Sequence, residues 1–176
     1  ACDVEINRLK EQIGKQDQYG CALPGLKKIE FLKNGDVKVT PIILDNKNKE
    51  RLENSLLLIY CGGSRSASEI LNKQKKNTLN SNQLTKNLIS MSEQCHHLSK
   101  SLLTDPDCLG DYLHDAWQRK KTFSEDISNN KIDEIYKRAL EAGAKGGKLL
   151  GAGGAGFLLV HCPDNLKAIK DAFKNF

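Results

Sequence analysis

Three short segments of this 176-residue chain gather side chains and backbone suited to ligand and anion chemistry. The first, IGKQDQYG (residues 13–20), packs an acid, two amides, an amine and a phenol into eight residues. Gly14 there lets the backbone come close to a ligand. A solvated loop in which Asp17 bonds its own backbone is the plainer reading of the same residues. The second, CGGSRSASEI (residues 61–70), places glycines, hydroxyls and an arginine where a strand gives way to a helix. Arg65 offers a planar fork to an anion while Ser64 or Ser66 caps the helix, and an ordinary N-cap explains Ser66 equally well. The third, GGKLLGAGGAGFLLVHC (residues 146–162), looks like a nucleotide loop with its order reversed. A dinucleotide fingerprint has glycines after a strand and at the start of a helix. Here Gly151, Gly153, Gly154 and Gly156 lead into the apolar run Phe157–Val160. A Walker loop fails as well, because Lys148 is followed by Leu149 rather than Ser or Thr.

The elements that must position these segments follow from apolar spacing. Cys2, Ile6, Leu9 and Ile13 predict a helix over residues 1–13, ending at Gly14. Two alternating runs, 28–32 and 37–40, flank Asn34-Gly35 and predict a hairpin. Leu56–Tyr60 is nearly all apolar and predicts a strand covered on both faces. Leu84, Leu88, Met91, Cys95, Leu98 and Leu102 form one stripe, predicting a helix over about 79–103. Leu109 to Trp117 and Ile132 to Leu140 carry two more helical faces. A strand at 157–161 and a helix over about 164–173 close the chain. Strands, then helices, then a late strand argue for an α+β two-layer sandwich, a mostly antiparallel sheet with helices on one side. Function must come from the sites on that scaffold.

Composition narrows the classes. A chain with 39% hydrophobic residues suits one globular domain, or half of something larger. The net charge of +5 is modest and its lysines and arginines are dispersed, which argues against a nucleic-acid partner. No apolar run reaches the length of a membrane span, and no leader pattern opens the chain. Cys2, Cys21, Cys61, Cys95, Cys108 and Cys162 stand singly, which favours reduced, mostly buried thiols and a cytoplasmic location. Cys95, His96 and His97 are consecutive on a predicted helix, where neighbours diverge, so no metal site is read there.

Taken together, GKQDQY, SRSASEIL, DAWQRKKTFSEDISNNKIDEIYKRAL and GAKGGKLLGAGGAGFLLV resemble the C-terminal half of the GHMP small-molecule kinases, a superfamily that includes galactokinase and mevalonate kinase. The resemblance runs over essentially the whole chain and is strongest to the D-glycero-D-manno-heptose 7-phosphate kinase branch. It implies that residues 1–27 end the N-terminal kinase domain with its catalytic-acid loop, and that 28–176 form the C-terminal domain. By the same resemblance Asp17 faces the hydroxyl to be phosphorylated, Gly14, Lys15 and Gln16 line the sugar pocket, and Ser64, Arg65 and Ser66 fall near the sugar or its phosphoryl. Gly151, Gly153 and Gly154 match the glycine motif that packs beside a separate phosphate loop. ATP and Mg²⁺ are the implied cofactors, with the metal ligands expected in an N-terminal half that has no counterpart here. This chain alone is therefore expected to be inactive. Departures at Cys21, Leu23, Pro24-Gly25, Lys27-Lys28 and Gly63 leave galactose, fucose or another sugar phosphate as alternatives. A non-catalytic ligand-binding module is the reading from outside the enzymes.

Overall fold

The computed structural model describes residues 1–64 and 66–174. The chain opens on a short π-helix, Asp3–Arg8, rather than a helix through residue 13. None of its residues is fully buried, so no core contact draws the helix onward. Asp3 accepts hydrogen bonds from Asn7 at 3.0 Å and from Arg8, five residues on, at 2.8 Å. The 13–20 segment is not a loop either, for Gln16–Ala22 forms helix α1.

Strands β1 (Lys27–Phe31) and β2 (Val37–Pro41) pair antiparallel, Phe31 opposite Val37 and Lys27 opposite Pro41. The hairpin forms around Asn34-Gly35 with a wider connection than a two-residue turn: Leu32 N–H donates to the Asp36 carbonyl at 2.9 Å, and Gly35 sits at φ 91°. Helix α2 (Asn46–Glu53), capped by the Asp45 carboxylate, leads to strand β3 (Leu56–Gly62). Helix α3 (Ala67–Leu79) comes first and is followed by α4 (Asn82–Ser101), which carries the long apolar stripe expected over about 79–103. Ser81 makes the break: its backbone is extended and its hydroxyl accepts from Leu84 N–H at 3.3 Å, starting α4 afresh. Helices α5 (Leu109–Lys121) and α6 (Asn130–Glu141) carry the two apolar faces read from the sequence. Strand β4 (Gly146–Leu149), strand β5 (Gly156–His161) and helix α7 (Leu166–Ala172) complete the described chain.

The main sheet runs β3-β5-β4, antiparallel throughout, so the chain is α+β with the helices packed on one sheet face. Ile59, Cys61, Leu158 and Val160 point into a core shared with Trp117, Ile132, Ile135, Tyr136, Ala139 and Ile169. Each large side chain buried this way contributes about 1.5–3 kcal/mol relative to exposure. The opposite face is open: Leu58 is 54% and Tyr60 57% exposed, with the Tyr60 ring 5.1 Å from that of Phe157. Strand β3 is thus covered on one face, not two. An antiparallel sheet with helices on a single side requires no second cover.

Strand β4 is glycine-rich because helix and sheet meet there. A Cβ on Gly146 would collide with the Gly110 carbonyl of α5, and one on Gly147 would come within 2.9 Å of Val160 Cγ1. The six cysteines are all unpaired, but only Cys61 and Cys162 are buried, while Cys21 and Cys95 are exposed. Among the described residues, no helix is long and apolar enough to cross a membrane.

Candidate functional site

Strand register brings two of the three segments together. Antiparallel pairing of β3 with β5 sets Gly62 opposite Gly156, after a register shift between Tyr60 and Gly62. The turn beginning at Gly62 therefore leaves the sheet beside the loop that enters β5. Gly62 and Gly63 sit at φ 79° and 77°, a region that L side chains rarely adopt. A Cβ on Gly63 would lie 3.3 Å from that of Ala155, within the glycine-rich loop. This answers why the glycines precede a strand: they form a β4–β5 hairpin loop whose partner is the end of β3, not a helix N-terminus.

Four glycines of the loop have left-handed backbone, and only Gly151 among them is exposed. Gly151, Gly153, Gly154 and Gly156 take φ of 73°, 119°, 76° and 103°. A Cβ on Gly151 or Gly156 would meet nothing within 4 Å, so those positions leave open space above the backbone. Gly153 is the opposite case, its missing Cβ only 2.9 Å from both Cα and the carbonyl oxygen of Ile127. Gly154 N–H donates to that Ile127 carbonyl at 2.8 Å, and the Asn129 amide donates to the Gly154 carbonyl at 3.2 Å. Ile127 and Asn129 were absent from the sequence reading as site residues. The available signal was Asn129 as a potential cap ahead of the apolar face of α6.

In the serine turn, Ser64 is exposed. Ser66 caps α3, its hydroxyl accepting from Glu69 N–H at 3.4 Å. Arg65 lies outside the described residues. The Ser68 hydroxyl donates to the Glu11 carboxylate, tying this turn to the N-terminal segment.

Asp17 occupies the first turn of α1 and is exposed. It lines a shallow cavity of about 380 Å³ with Gln16, Gly20, Gly25 and Lys27. The Lys27 amine is engaged with the carbonyls of Leu23 and Gly25 at 2.5 and 3.2 Å, closing the end of α1. Gly14, Lys15 and Gln16 line an adjoining cavity of about 450 Å³ with Phe31, Leu32 and Gly35, and the Lys15 amine donates to the Gly35 carbonyl at 3.2 Å. Tyr19 rests edge-on against Phe31, ring centres 6.0 Å apart. The structure therefore groups Gly14 to Asp17 at one place and the serine turn with the glycine loop at another. No hydrogen bond or ion pair among the described residues joins Asp17 to either.

Two amines lie just ahead of the glycine loop. Burial holds the Lys148 ammonium, on β4, below the ordinary lysine range. Lys120, on α5, is brought down to about 8, by burial first and then by the Lys148 charge. Its amine donates to the Gln74 side chain at 2.8 Å. Among the described residues, no three His, Cys, Asp or Glu side chains converge on a metal position.

The fold is shared with solved mevalonate and heptose-phosphate kinases, and residues 97–176 match the family model described as GHMP kinases C terminal. The chain is 32% identical, over 159 residues and 90% of its length, to D-glycero-alpha-D-manno-heptose 7-phosphate kinase of Campylobacter jejuni, covering 47% of that protein. It is 30% identical over 162 residues to the bifunctional fucokinase/GDP-fucose pyrophosphorylase of Arabidopsis thaliana, which involves 88% of this chain and 15% of that one. In structure, 99% of the chain superposes on 47% of a D-glycero-D-manno-heptose 1-phosphate kinase from Bacteroides thetaiotaomicron, with TM-score 0.64 and 24% identity. The chain thus spans half or less of the length of each.

Proposed function

We propose that this chain is the C-terminal part of an ATP-dependent sugar kinase that phosphorylates the anomeric hydroxyl of D-glycero-D-manno-heptose 7-phosphate, giving the 1,7-bisphosphate. Residues 1–27 then close the N-terminal kinase domain and 28–176 form the C-terminal one. The observation that carries this reading is the Gly62–Gly156 junction, which sets the serine turn beside a glycine loop with open space at Gly151 and Gly156. It occurs in a chain 32% identical to a protein named for that activity.

In this reading Asp17 orients the sugar hydroxyl and accepts its proton late, as the bond from that oxygen to the γ-phosphorus forms and the γ-phosphorus bond to the ADP oxygen breaks. Exposure on α1 leaves its carboxylate free to meet a substrate. Gly14, Lys15 and Gln16 hold the sugar, and Ser64, Arg65 and Ser66 stand near its phosphoryl. ATP fits the glycine loop through backbone, since Gly151 and Gly156 leave room for close approach. Mg²⁺ would neutralise the phosphate charge when bound; its ligands are assigned to the N-terminal half. A sugar of the fucose type is the second reading, favoured by the 30% identity to the Arabidopsis protein.

The test is ADP release by the longest natural form of the protein with Mg²⁺-ATP and a panel of heptose 7-phosphate, fucose and galactose. The 176-residue chain is assayed alongside. The expected result is turnover with heptose 7-phosphate by the long form, none by the short chain, and a loss of about 10²-fold or more in Asp17→Asn. Full phosphorylation by Asp17→Asn would remove Asp17 from the mechanism, and preference for fucose would install the second reading.

A further inference from the structure

We propose that Asn129 is a positioning residue for the glycine-rich loop, clasping Gly154 to the first turn of α6 and so setting the loop backbone for the phosphate it meets. This rests on the kinase reading above. The loop cannot set its own shape. Its four positive-φ glycines carry no side chains to pack, and Gly151 and Gly156 face open space. A segment with so little of its own to hold it loses much conformational entropy on ordering, so its geometry must be imposed by neighbours.

The imposed contacts converge on one residue. Gly154 donates its N–H to the Ile127 carbonyl at 2.8 Å and accepts at its own carbonyl from Asn129 Nδ2 at 3.2 Å. Both polar groups of a residue at φ 76° are therefore held from outside the loop. Asn129 meanwhile caps α6, its Oδ1 accepting from Ile132 N–H at 3.0 Å. A serine, threonine or aspartate would cap as well. A hydroxyl both donates and accepts, but from a single oxygen; the carboxamide turns an acceptor oxygen to the helix and a separate amide donor to the loop.

The platform under the clasp is firm. Ile127 is fully buried, and the Ser124 hydroxyl accepts from Asp126 N–H in the turn that presents it. Asp126 is bound to the Lys73 amine on α3, and the Ser128 hydroxyl donates to Asp133 at 3.0 Å. The same end of α6 also borders the serine turn, for a Cβ on Gly62 would stand 3.2 Å from Lys131 Nζ. One helix start thus holds the glycine loop and abuts the turn beside it. Phosphoryl transfer depends on placement and fixed dipoles, so a loosened loop lowers the rate more than sugar binding.

Asn129→Ser keeps the cap and is too short to reach Gly154; Asn129→Asp keeps the cap and sets an acceptor against the Gly154 carbonyl. In the 176-residue chain, hydrogen exchange at the Gly154 amide is expected to speed up by about tenfold in Asn129→Ser and further in Asn129→Asp, with the urea midpoint nearly unmoved. In the longest natural form, both variants are expected to lower kcat by about tenfold at an unchanged KM for the sugar. Unchanged Gly154 exchange in both variants overturns the clasp. Faster exchange with unchanged kcat overturns its service to catalysis. A wild-type long form that transfers phosphate to no sugar defeats the kinase reading and with it the catalytic half of this proposal, while the exchange measurement still decides the clasp.

Discussion

Replacing Gly153 with alanine tests how the loop is held more sharply than any change of charge. Its φ of 119° lies where L residues are strained, and the new Cβ would stand 2.9 Å from Ile127 Cα, 2.9 Å from its carbonyl oxygen and 3.1 Å from Cγ2. Ile127 is fully buried and cannot yield without disturbing the core. The backbone conformation costs about 1–3 kcal/mol, and forcing a methyl into packed structure about 1–3 more. Displacing the loop instead gives up the Gly154 to Ile127 hydrogen bond, worth about 1 kcal/mol. Either route predicts a destabilisation of about 2–6 kcal/mol, a drop in urea midpoint of about 1–3 M at a slope near 2 kcal/mol/M. Gly151→Ala is the control: φ is 73° but nothing stands within 4 Å, so only the backbone cost of about 1–2 kcal/mol remains. Equal midpoints for the two variants, measured by fluorescence of Trp117, would refute the steric reasoning.

Two further predictions concern buried titratable groups. His161 is 0% exposed, and neither ring nitrogen has a hydrogen-bond partner among the described residues. Burial lowers its pKa, so the unfolded chain takes up the proton first, and stability falls as pH drops below about 6.5 until the lower folded pKa is passed. Within that window the slope approaches about 1.4 kcal/mol per pH unit; His161→Leu is expected to flatten it in thermal melts from pH 7.5 to 5, and an unchanged slope would exonerate His161. Lys120 is expected to titrate at about 8 in the reductively methylated protein, followed by NMR of its labelled methyls, and to move upward in Lys148→Met. A Lys120 resonance that ignores Lys148→Met would remove the charge coupling between the two amines.

The sequence showed elements wherever apolar spacing coincided with a packing partner, and failed where the partner decided the outcome. The faces of α5 and α6 were legible because Trp117, Ile132, Ile135 and Ala139 recur at helical spacing and all enter the core. Residues 1–13 have comparable spacing but bury nothing in their helical stretch, so pattern alone overstated them. Strand β4 was invisible for the converse reason. Gly146 and Gly147 have no strand propensity, and their selection comes from the α5 backbone pressing on Gly146 and from Leu159 and Val160 of β5 crowding Gly147, contacts between residues distant in sequence.

The candidate site divides along the same line. The three segments could be found by composition, because glycines, hydroxyls and an acid in short polar stretches are local features. Their arrangement could not, since it depends on the register that sets Gly62 opposite Gly156 and on a helix start supplying Ile127 and Asn129. An asparagine ahead of an apolar helix reads as a cap and nothing more. Its second hydrogen bond, to a carbonyl 25 residues on, exists because the β4–β5 loop folds back onto α6. Glycine-rich loops that lead into strands should therefore be read together with the helix start that anchors them, since the glycines permit the backbone conformation and the anchor selects it.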